Sequence, residues 1–358
     1  MELSASEWVL WLALALGVAY GAIAQISGFC LNSALRQQLT ANNGNKLRAF
    51  ALALFVAMLG SQTLDATGIV DLSESIYQTP EASWILTVVG GILFGFGMIR
   101  ARGCGARSLV LLGQGNLRSL VVVLVIGITA YMTLSGVFGS LRNDLTAASL
   151  VSTETGTFTT EAGRWAFIIG FGGLLLAFIL RDRGFWRQRL DVLSGVVIGL
   201  LVVAGWFITG WVGFDDFEPT PLASLTFVAP VGATIQYAMI ATGMTLNFGV
   251  VVVVGVVVGS LLAAKATRTF KVQGFEKPTD MPRYLVGATC MGIGGALALG
   301  CSVGQGLTGM STLSFVSMMA LAGIVTGGWL ALKFEGLSVG STKPVERQRS
   351  GHQYKQST

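Results

Sequence analysis

The chain has 358 residues, of which 53% are hydrophobic and only 11% are Asp, Glu, Lys or Arg. Soluble domains carry about 25% of these charged residues and use them to cover their surface. Together with a mean hydropathy of +0.69, the composition predicts an integral membrane protein. It excludes nucleic-acid binding as the main function, because cytoplasmic anchoring charges explain the net charge of +5.

The few cysteines and the single histidine limit the metal and redox chemistry. Cys30, Cys104, Cys290 and Cys301 lie far apart without a C-x-x-C pair, and His352 lies in the polar tail. A zinc or copper site built on imidazole has almost no ligands available, so we expect no metal and no cofactor. The N-terminal segment MELSASEW lacks the basic region of a signal peptide, so the first apolar stretch is expected to remain.

Long uncharged runs along the chain predict membrane-spanning helices, each of which needs about 20 apolar residues. The run 223–264 is too long for one helix, and Pro230 and Gly232 would break it, so we expect one crossing and one short re-entrant piece. The predicted fold class is an all-α integral membrane protein with about nine transmembrane helices plus re-entrant or half-length helices. The uncharged runs are 8–29, 49–64, 84–99, 119–139, 165–180, 192–212, 223–264, 284–299 and 313–332.

The segments between these runs alternate in charge, which predicts the side of the membrane on which each lies. Segment 65–83 is acidic, as is 213–222 with Asp215, Asp216 and Glu218. Because Lys and Arg resist translocation, the basic segments are expected in the cytoplasm. This places the N-terminus outside and the C-terminus inside. The basic segments are 35–48, 100–118, 181–191, 265–283 and the tail after Lys333.

The chain also contains a weak internal repeat with two cysteines in register. Residues 90–104 align with 287–301 at an offset of 197, and both end in Gly-Cys; SGFCLN at 27–32 matches TGMTLN at 242–247. The matches predict two pseudo-symmetric, inverted repeats in which the two Gly-rich helices are antiparallel. We expect a first repeat over 1–145, connecting helices over 146–222, a second repeat over 223–335 and a cytoplasmic polar tail over 336–358.

A polar, Gly-rich stretch follows each Gly-Cys pair: GARSLVLLGQGN at 105–116 and SVGQGLTGMS at 302–311. Neither is long enough to span a bilayer, and such backbone is tolerated at membrane depth only inside protein or beside a cavity. Two half-penetrating elements from opposite faces would meet near the middle. Their backbone N–H groups and positive helix ends would then form a site for an anion.

These motifs resemble the YeeE/YedE family of bacterial inner-membrane proteins, whose studied members transport thiosulfate. The resemblance is carried by GFCLN around Cys30, RGCGAR around Cys104 and LGCSVGQG around Cys301, and it covers nearly the whole chain. It implies thiosulfate uptake across the inner membrane, with these three cysteines on the pathway. It also implies a small TusA-like cytoplasmic sulfurtransferase as a partner.

Neutral thiols are chemically suited to passing a dianion through a bilayer. An unpaired ion in an apolar medium is very costly, yet a strong cationic site would not release it. An S–H group is a weak donor, and burial without a cationic partner favours the uncharged thiol at pH 7. We therefore expect weak contacts from the thiols to the terminal sulfur of thiosulfate, a sulfur that sulfate lacks, without covalent transfer.

The other candidate substrate-binding residues also have a structural interpretation, in packing, capping or anchoring. Gly103 and Gly300 would let a helix end and a substrate approach, and Gln305 is polar at membrane depth. Arg107 is either a substrate contact or a cytoplasmic anchor, and Asn32 and Asn247 either cap the helices that follow them or contact the substrate. The predicted substrate-binding residues are Cys30, Cys104, Cys301, Gly103, Gly105, Gly300, Gln305, Arg107, Asn32 and Thr245.

Other small residues are predicted to act in packing. Gly91, Gly95 and Gly97 are interpreted as close contacts between helices, and Cys290 as a buried filler because its repeat counterpart is Leu93.

Two other functions of the protein stay open. One is a membrane sulfurtransferase or thiol enzyme, which would need an activating base or a resolving cysteine. The other is transport of a different sulfur or selenium species.

Overall fold

The computed structural model of the chain describes residues 4–78, 81–149, 151–152, 161–214, 220–275 and 280–339. The acidic group Asp215, Asp216 and Glu218 and the tail with His352 lie outside these residues. Fourteen α-helices and two paired two-residue strands, β1 (Glu81–Ala82) and β2 (Val151–Ser152), are described. The helices are α1 Ala5–Ser27, α2 Leu31–Ala41, α3 Asn45–Ala66, α4 Trp84–Arg100, α5 Gly105–Gly113, α6 Leu117–Leu134, α7 Gly139–Ala148, α8 Glu161–Leu180, α9 Arg183–Arg187, α10 Arg189–Phe207, α11 Val228–Ile240, α12 Phe248–Ala266, α13 Met281–Leu297 and α14 Phe315–Val339.

The helix lengths confirm an all-α membrane protein. Within the described ranges, eight helical stretches are long and apolar enough to cross a membrane, and they contain α1, α3, α4, α6, α8, α10, α12 and α14. The one remaining predicted span, 284–299, corresponds to α13, whose 17 residues are at the lower limit for crossing. In the long run 223–264, the 13-residue α11 is too short to cross and is followed by the 19-residue α12, as predicted.

Glycines bring the central helices into close contact, as predicted for Gly91, Gly95 and Gly97. A Cβ on Gly97 would lie 2.4 Å from the carbonyl oxygen of Gly287, while one on Gly90 would lie 2.7 Å from the amide nitrogen of Ala298. Contacts therefore run in opposite order along α4 and α13, so these helices are antiparallel. Both have 17 residues, and their first residues are 197 positions apart. This correspondence supports the predicted repeat, which stays a prediction.

Basic segments that are distant in sequence gather at one end of the helix bundle. Lys46 Nζ lies 2.6 Å from both Asp191 Oδ1 and the Ser27 carbonyl oxygen. At the same end, Glu335 pairs with Arg36 and Arg283. Gln114 donates to the carbonyl oxygen of Thr269 and Arg118 to that of Gly274. The segments predicted to share one side of the membrane thus share one end, which we call the basic end.

Candidate functional site

The three candidate cysteines lie where a long helix ends and a short helical element begins. Gly28, in the left-handed conformation at φ +67°, ends α1, and Cys30 then forms the N-cap of α2. In the same way, Arg102 at φ +57° precedes Cys104, the N-cap of α5. Leu299 at φ +55° precedes Cys301 and a π-helical turn, Gly304–Gly309. Each cysteine therefore stands at the start of a new helical element.

Backbone N–H groups of these elements face the sulfur atoms. The N–H of Gly304 donates to Cys301 Sγ at 3.3 Å. The N–H groups of Ser33 and Arg107 face the sulfurs of Cys30 and Cys104 in the same manner. Because the first N–H groups of a helix have no partner within it, they carry a partial positive charge. An anion held at these sulfurs would therefore meet positive helix ends.

The fold brings the sulfurs of Cys30 and Cys104 together and buries Cys301 nearby, and we call these three residues the thiol cluster (Cys30, Cys104 and Cys301). Cys30 Sγ and Cys104 Sγ are 3.6 Å apart. Ser302, the residue after Cys301, lies against the Cys104 sulfur. The helix junction at Cys301 therefore contacts the junctions at Cys30 and Cys104. The three cysteines are at most 5% exposed. Among the described residues, no group of three or more His, Cys, Asp or Glu is placed to hold a metal ion.

The predicted glycines around the cluster differ in the space beside them. Gly105 is buried, yet a Cβ built on it would have no atom within 4 Å, so open space lies beside Cys104. A Cβ on Gly103 would make an ordinary 3.5 Å contact with Arg107. A Cβ on Gly300 would lie 3.1 Å from Gln305 Cγ, which is tight. Gly105 is thus the glycine that adjoins unfilled space.

Two of the predicted polar residues are buried and keep one oxygen without a partner. Gln305 donates from Nε2 to the Ala298 carbonyl oxygen at 2.6 Å, and Asn32 donates from Nδ2 to the Met98 carbonyl oxygen at 3.0 Å. In both, the amide oxygen makes no hydrogen bond. The capping role predicted for Asn32 is wrong, since Cys30 is the N-cap of α2. Asn247 does cap α12, by accepting from the Val250 N–H at 3.0 Å.

Arg107, Thr245 and Cys290 have different surroundings. Arg107 Nη1 donates to the Ala24 carbonyl oxygen at 3.1 Å, which ties it to the last turn of α1 near the cluster. Thr245, the repeat counterpart of Cys30, is exposed and lines a separate cavity. Cys290 is half-buried and packs against Gly97 on α4, which agrees with the predicted packing role. The repeat in the sequence therefore did not predict which residues meet.

A cavity of about 580 Å³ opens at the end of the bundle opposite the basic end. It is lined by the first turns of α1 and α12 and by the segment before α11, including Thr226, and we call it the Thr226 cavity. A Cβ on Gly304 would lie 2.5 Å from Thr226 Oγ1, so the wall of this cavity touches the turn that bonds to Cys301. One wall of the cavity therefore lies next to the turn that bonds to the third cysteine.

Two hydroxyl groups beside the thiol cluster were missed by the sequence analysis. Tyr20 on α1 lies in the same buried region as the three cysteines and Arg107, and its ring lies 5.2 Å from that of Phe227. Ser302 is fully buried beside Cys104. Ser302 could have been suggested by its place after the Gly-Cys pair, whereas Tyr20 had no signal, because its helix reads as an ordinary apolar span.

Comparison with known families identifies the family of this chain. The sequence model of the sulphur transport family matches residues 26–330, which include all three cysteines of the cluster. The chain belongs to the sulphur transport family. It is similar to the thiosulfate transporter TsuA of Escherichia coli (strain K12), with 25% identity over 339 residues, or 88% of this chain and 91% of the relative. The protein of the same name from Spirochaeta thermophila is also 25% identical, over 90% of this chain and 97% of the relative.

Proposed function

We propose that this protein takes up thiosulfate across the bacterial inner membrane. The observation that carries the proposal is the thiol cluster, in which the buried sulfurs of Cys30 and Cys104 lie together and Cys301 is buried next to them through its neighbour Ser302. Family membership and two relatives named thiosulfate transporters support the same substrate. We propose that the anion moves between Cys30, Cys104 and Cys301. It would occupy the open space beside Gly105 and accept hydrogen bonds from the backbone N–H groups of Gly304, Ser33 and Arg107.

The physical basis is a series of weak sites in place of one strong site. A dianion in an apolar interior needs donors, but conduction also needs release. Thiols donate weakly, and the amide groups at the helix starts add fixed partial charges without a full positive charge. A terminal sulfur on the substrate matches the soft thiols. Sulfate lacks that atom, so the cluster would distinguish the two anions.

The proposed route runs from the Thr226 cavity to Cys301, then to the Cys104–Cys30 pair and on to the basic end. In this orientation the N-terminus is periplasmic and the basic end is cytoplasmic, in keeping with the retention of Lys and Arg on that side. The repeats over 1–145 and 223–335 remain part of the proposal, as do the linking helices 146–222 and the tail 336–358. Delivery to a small TusA-like sulfurtransferase is proposed from the family resemblance alone.

Cysteine replacements with a matched control test the proposed function. The variants Cys30→Ala, Cys104→Ala and Cys301→Ala should each reduce uptake of ³⁵S-labelled thiosulfate into proteoliposomes by at least tenfold. Cys290→Ala removes a thiol of the same chain outside the cluster and should keep the wild-type rate. Comparable amounts of reconstituted protein are verified in each sample. Wild-type uptake by all three cluster variants would contradict the proposal.

One observation also favours the thiol-enzyme alternative. The 3.6 Å separation of Cys30 Sγ and Cys104 Sγ supplies the neighbouring thiol that a resolving cysteine would require. Intact-protein mass spectrometry after thiosulfate exposure separates the two functions. A stable addition of one sulfur atom on a cluster cysteine would support the enzyme, whereas unmodified thiols alongside active uptake support transport by non-covalent contacts.

A further inference from the structure

Tyr20 places a phenol near the thiol cluster, and its hydroxyl has no hydrogen-bond partner among the described residues. The side chain is 1% exposed and lies in the same buried region as Cys30, Cys104 and Cys301. Its ring packs on Phe227, whose backbone N–H faces the Cys301 sulfur. No hydrogen bond among the described residues involves its hydroxyl. A buried tyrosine hydroxyl usually has a partner, so this donor is available for a ligand.

Ser302 presents a second hydroxyl from the segment that follows α13, directly after Cys301. It is fully buried, lies against the Cys104 sulfur, and its Oγ makes no hydrogen bond of normal geometry. A buried hydroxyl without a partner is destabilising, and most such groups in folded proteins are bonded. Ser302 differs from other buried serines without a nitrogen or oxygen partner, such as Ser61, because its hydroxyl lies beside a sulfur of the thiol cluster.

The two kinds of donor match the two ends of a thiosulfate ion. The terminal sulfur is soft and suits the weakly donating thiols, whereas the three oxygens carry charge that O–H groups bind more strongly. The thiols alone would leave the oxygens bound only by amide groups. Hydroxyls next to the sulfurs would fix the ion with its sulfur towards the cysteines.

We propose that Tyr20 and Ser302 are substrate-binding residues that donate hydrogen bonds to the oxygen atoms of the anion within the thiol cluster. They orient the ion while the cysteines contact its terminal sulfur. This assignment rests on the proposed thiosulfate function and deepens it by dividing recognition between hydroxyls and thiols. Tyr20 also stays neutral, so it adds no charge that would trap the ion.

Conservative removal of each hydroxyl tests the assignment. Tyr20→Phe keeps the ring packing on Phe227, and Ser302→Ala keeps nearly the same volume. Each should raise the KM for thiosulfate uptake about tenfold, a change of about 1.4 kcal/mol in binding, with Vmax within about twofold of wild type. The matched controls are Tyr284→Phe, a buried phenol packed on Phe275, and Ser61→Ala, a buried serine whose hydroxyl is equally unpartnered. Both controls should keep the wild-type KM.

A ligand-induced thermal shift distinguishes binding from packing. Purified wild-type protein should gain thermal stability with added thiosulfate, and the two variants should show the same melting temperature without ligand but a reduced gain. An unchanged KM in Tyr20→Phe and Ser302→Ala, or a lower Vmax with unchanged KM and thermal gain, would overturn the assignment. If Tyr20→Phe does not fold, Ser302→Ala alone decides. A wild type without saturable uptake overturns the proposed function and the assignment together, whereas a normal wild type with unaffected variants overturns the assignment alone.

Discussion

Substitutions at Gly105 separate the open space beside Cys104 from the stability of the fold. Because a Cβ there meets no atom within 4 Å, Gly105→Ala should fold without overlap. Alanine also has the higher helix propensity, so the free energy of unfolding should stay unchanged or rise by no more than about 1 kcal/mol. Gly105→Leu would fill the same space with a larger side chain and should keep most of this stability.

Transport should respond in the opposite direction, since the added side chain occupies space that the anion needs beside Cys104. If the leucine removes one hydrogen bond to the charged ion, the loss is about 1.5–3 kcal/mol. At about 1.4 kcal/mol for each factor of ten, uptake at low thiosulfate concentration should fall about 10- to 150-fold. Alanine should have a smaller effect in the same direction.

The assay combines initial uptake rates in proteoliposomes with melting temperatures in detergent. Gly97→Ala is the control, because its Cβ would lie 2.4 Å from the Gly287 carbonyl oxygen and should destabilise the α4–α13 contact by about 1–3 kcal/mol. It should lower the melting temperature, whereas Gly105→Leu should lower transport with little change in melting temperature. A Gly105→Leu protein that folds and transports at the wild-type rate would show that this space is not on the route.

Two further predictions concern stability. Lys46→Met leaves Asp191, which is 5% exposed, without its cation and removes a bond to the Ser27 carbonyl, so the free energy of unfolding should fall by about 3–5 kcal/mol. Part of that loss should return in the double variant with Asp191→Asn, measured by chemical denaturation, and equal losses in the single and double variants would contradict the pairing. Asn247→Ala removes the side-chain cap of α12 and should cost about 1 kcal/mol, seen as a lower melting temperature. Asn247→Asp should keep that stability, and a drop of the same size there would argue against capping.

Residue patterns predicted the helices of this protein better than they predicted the contacts of its site. The charge pattern predicted that the two Gly-rich helices run antiparallel, and the structure adds that α4 and α13 pack on each other through Gly90 and Gly97, where close approach requires small residues. The internal repeat paired Cys30 with Thr245, yet Thr245 lines the Thr226 cavity at one end of the bundle. Equivalent positions in two repeats share local backbone but need not share neighbours.

By itself, the sequence determined an all-α membrane protein, the basic segments that meet at one end of the bundle, and three cysteines that follow Gly or Gly-Phe. These features depend on composition and local spacing, which act within one helix. Only the tertiary structure decided that Cys30 Sγ lies 3.6 Å from Cys104 Sγ and that Tyr20 and Ser302 bring hydroxyls to the same place. Such contacts join residues far apart in the chain, and they depend on how the helices cross. No local pattern specifies that crossing.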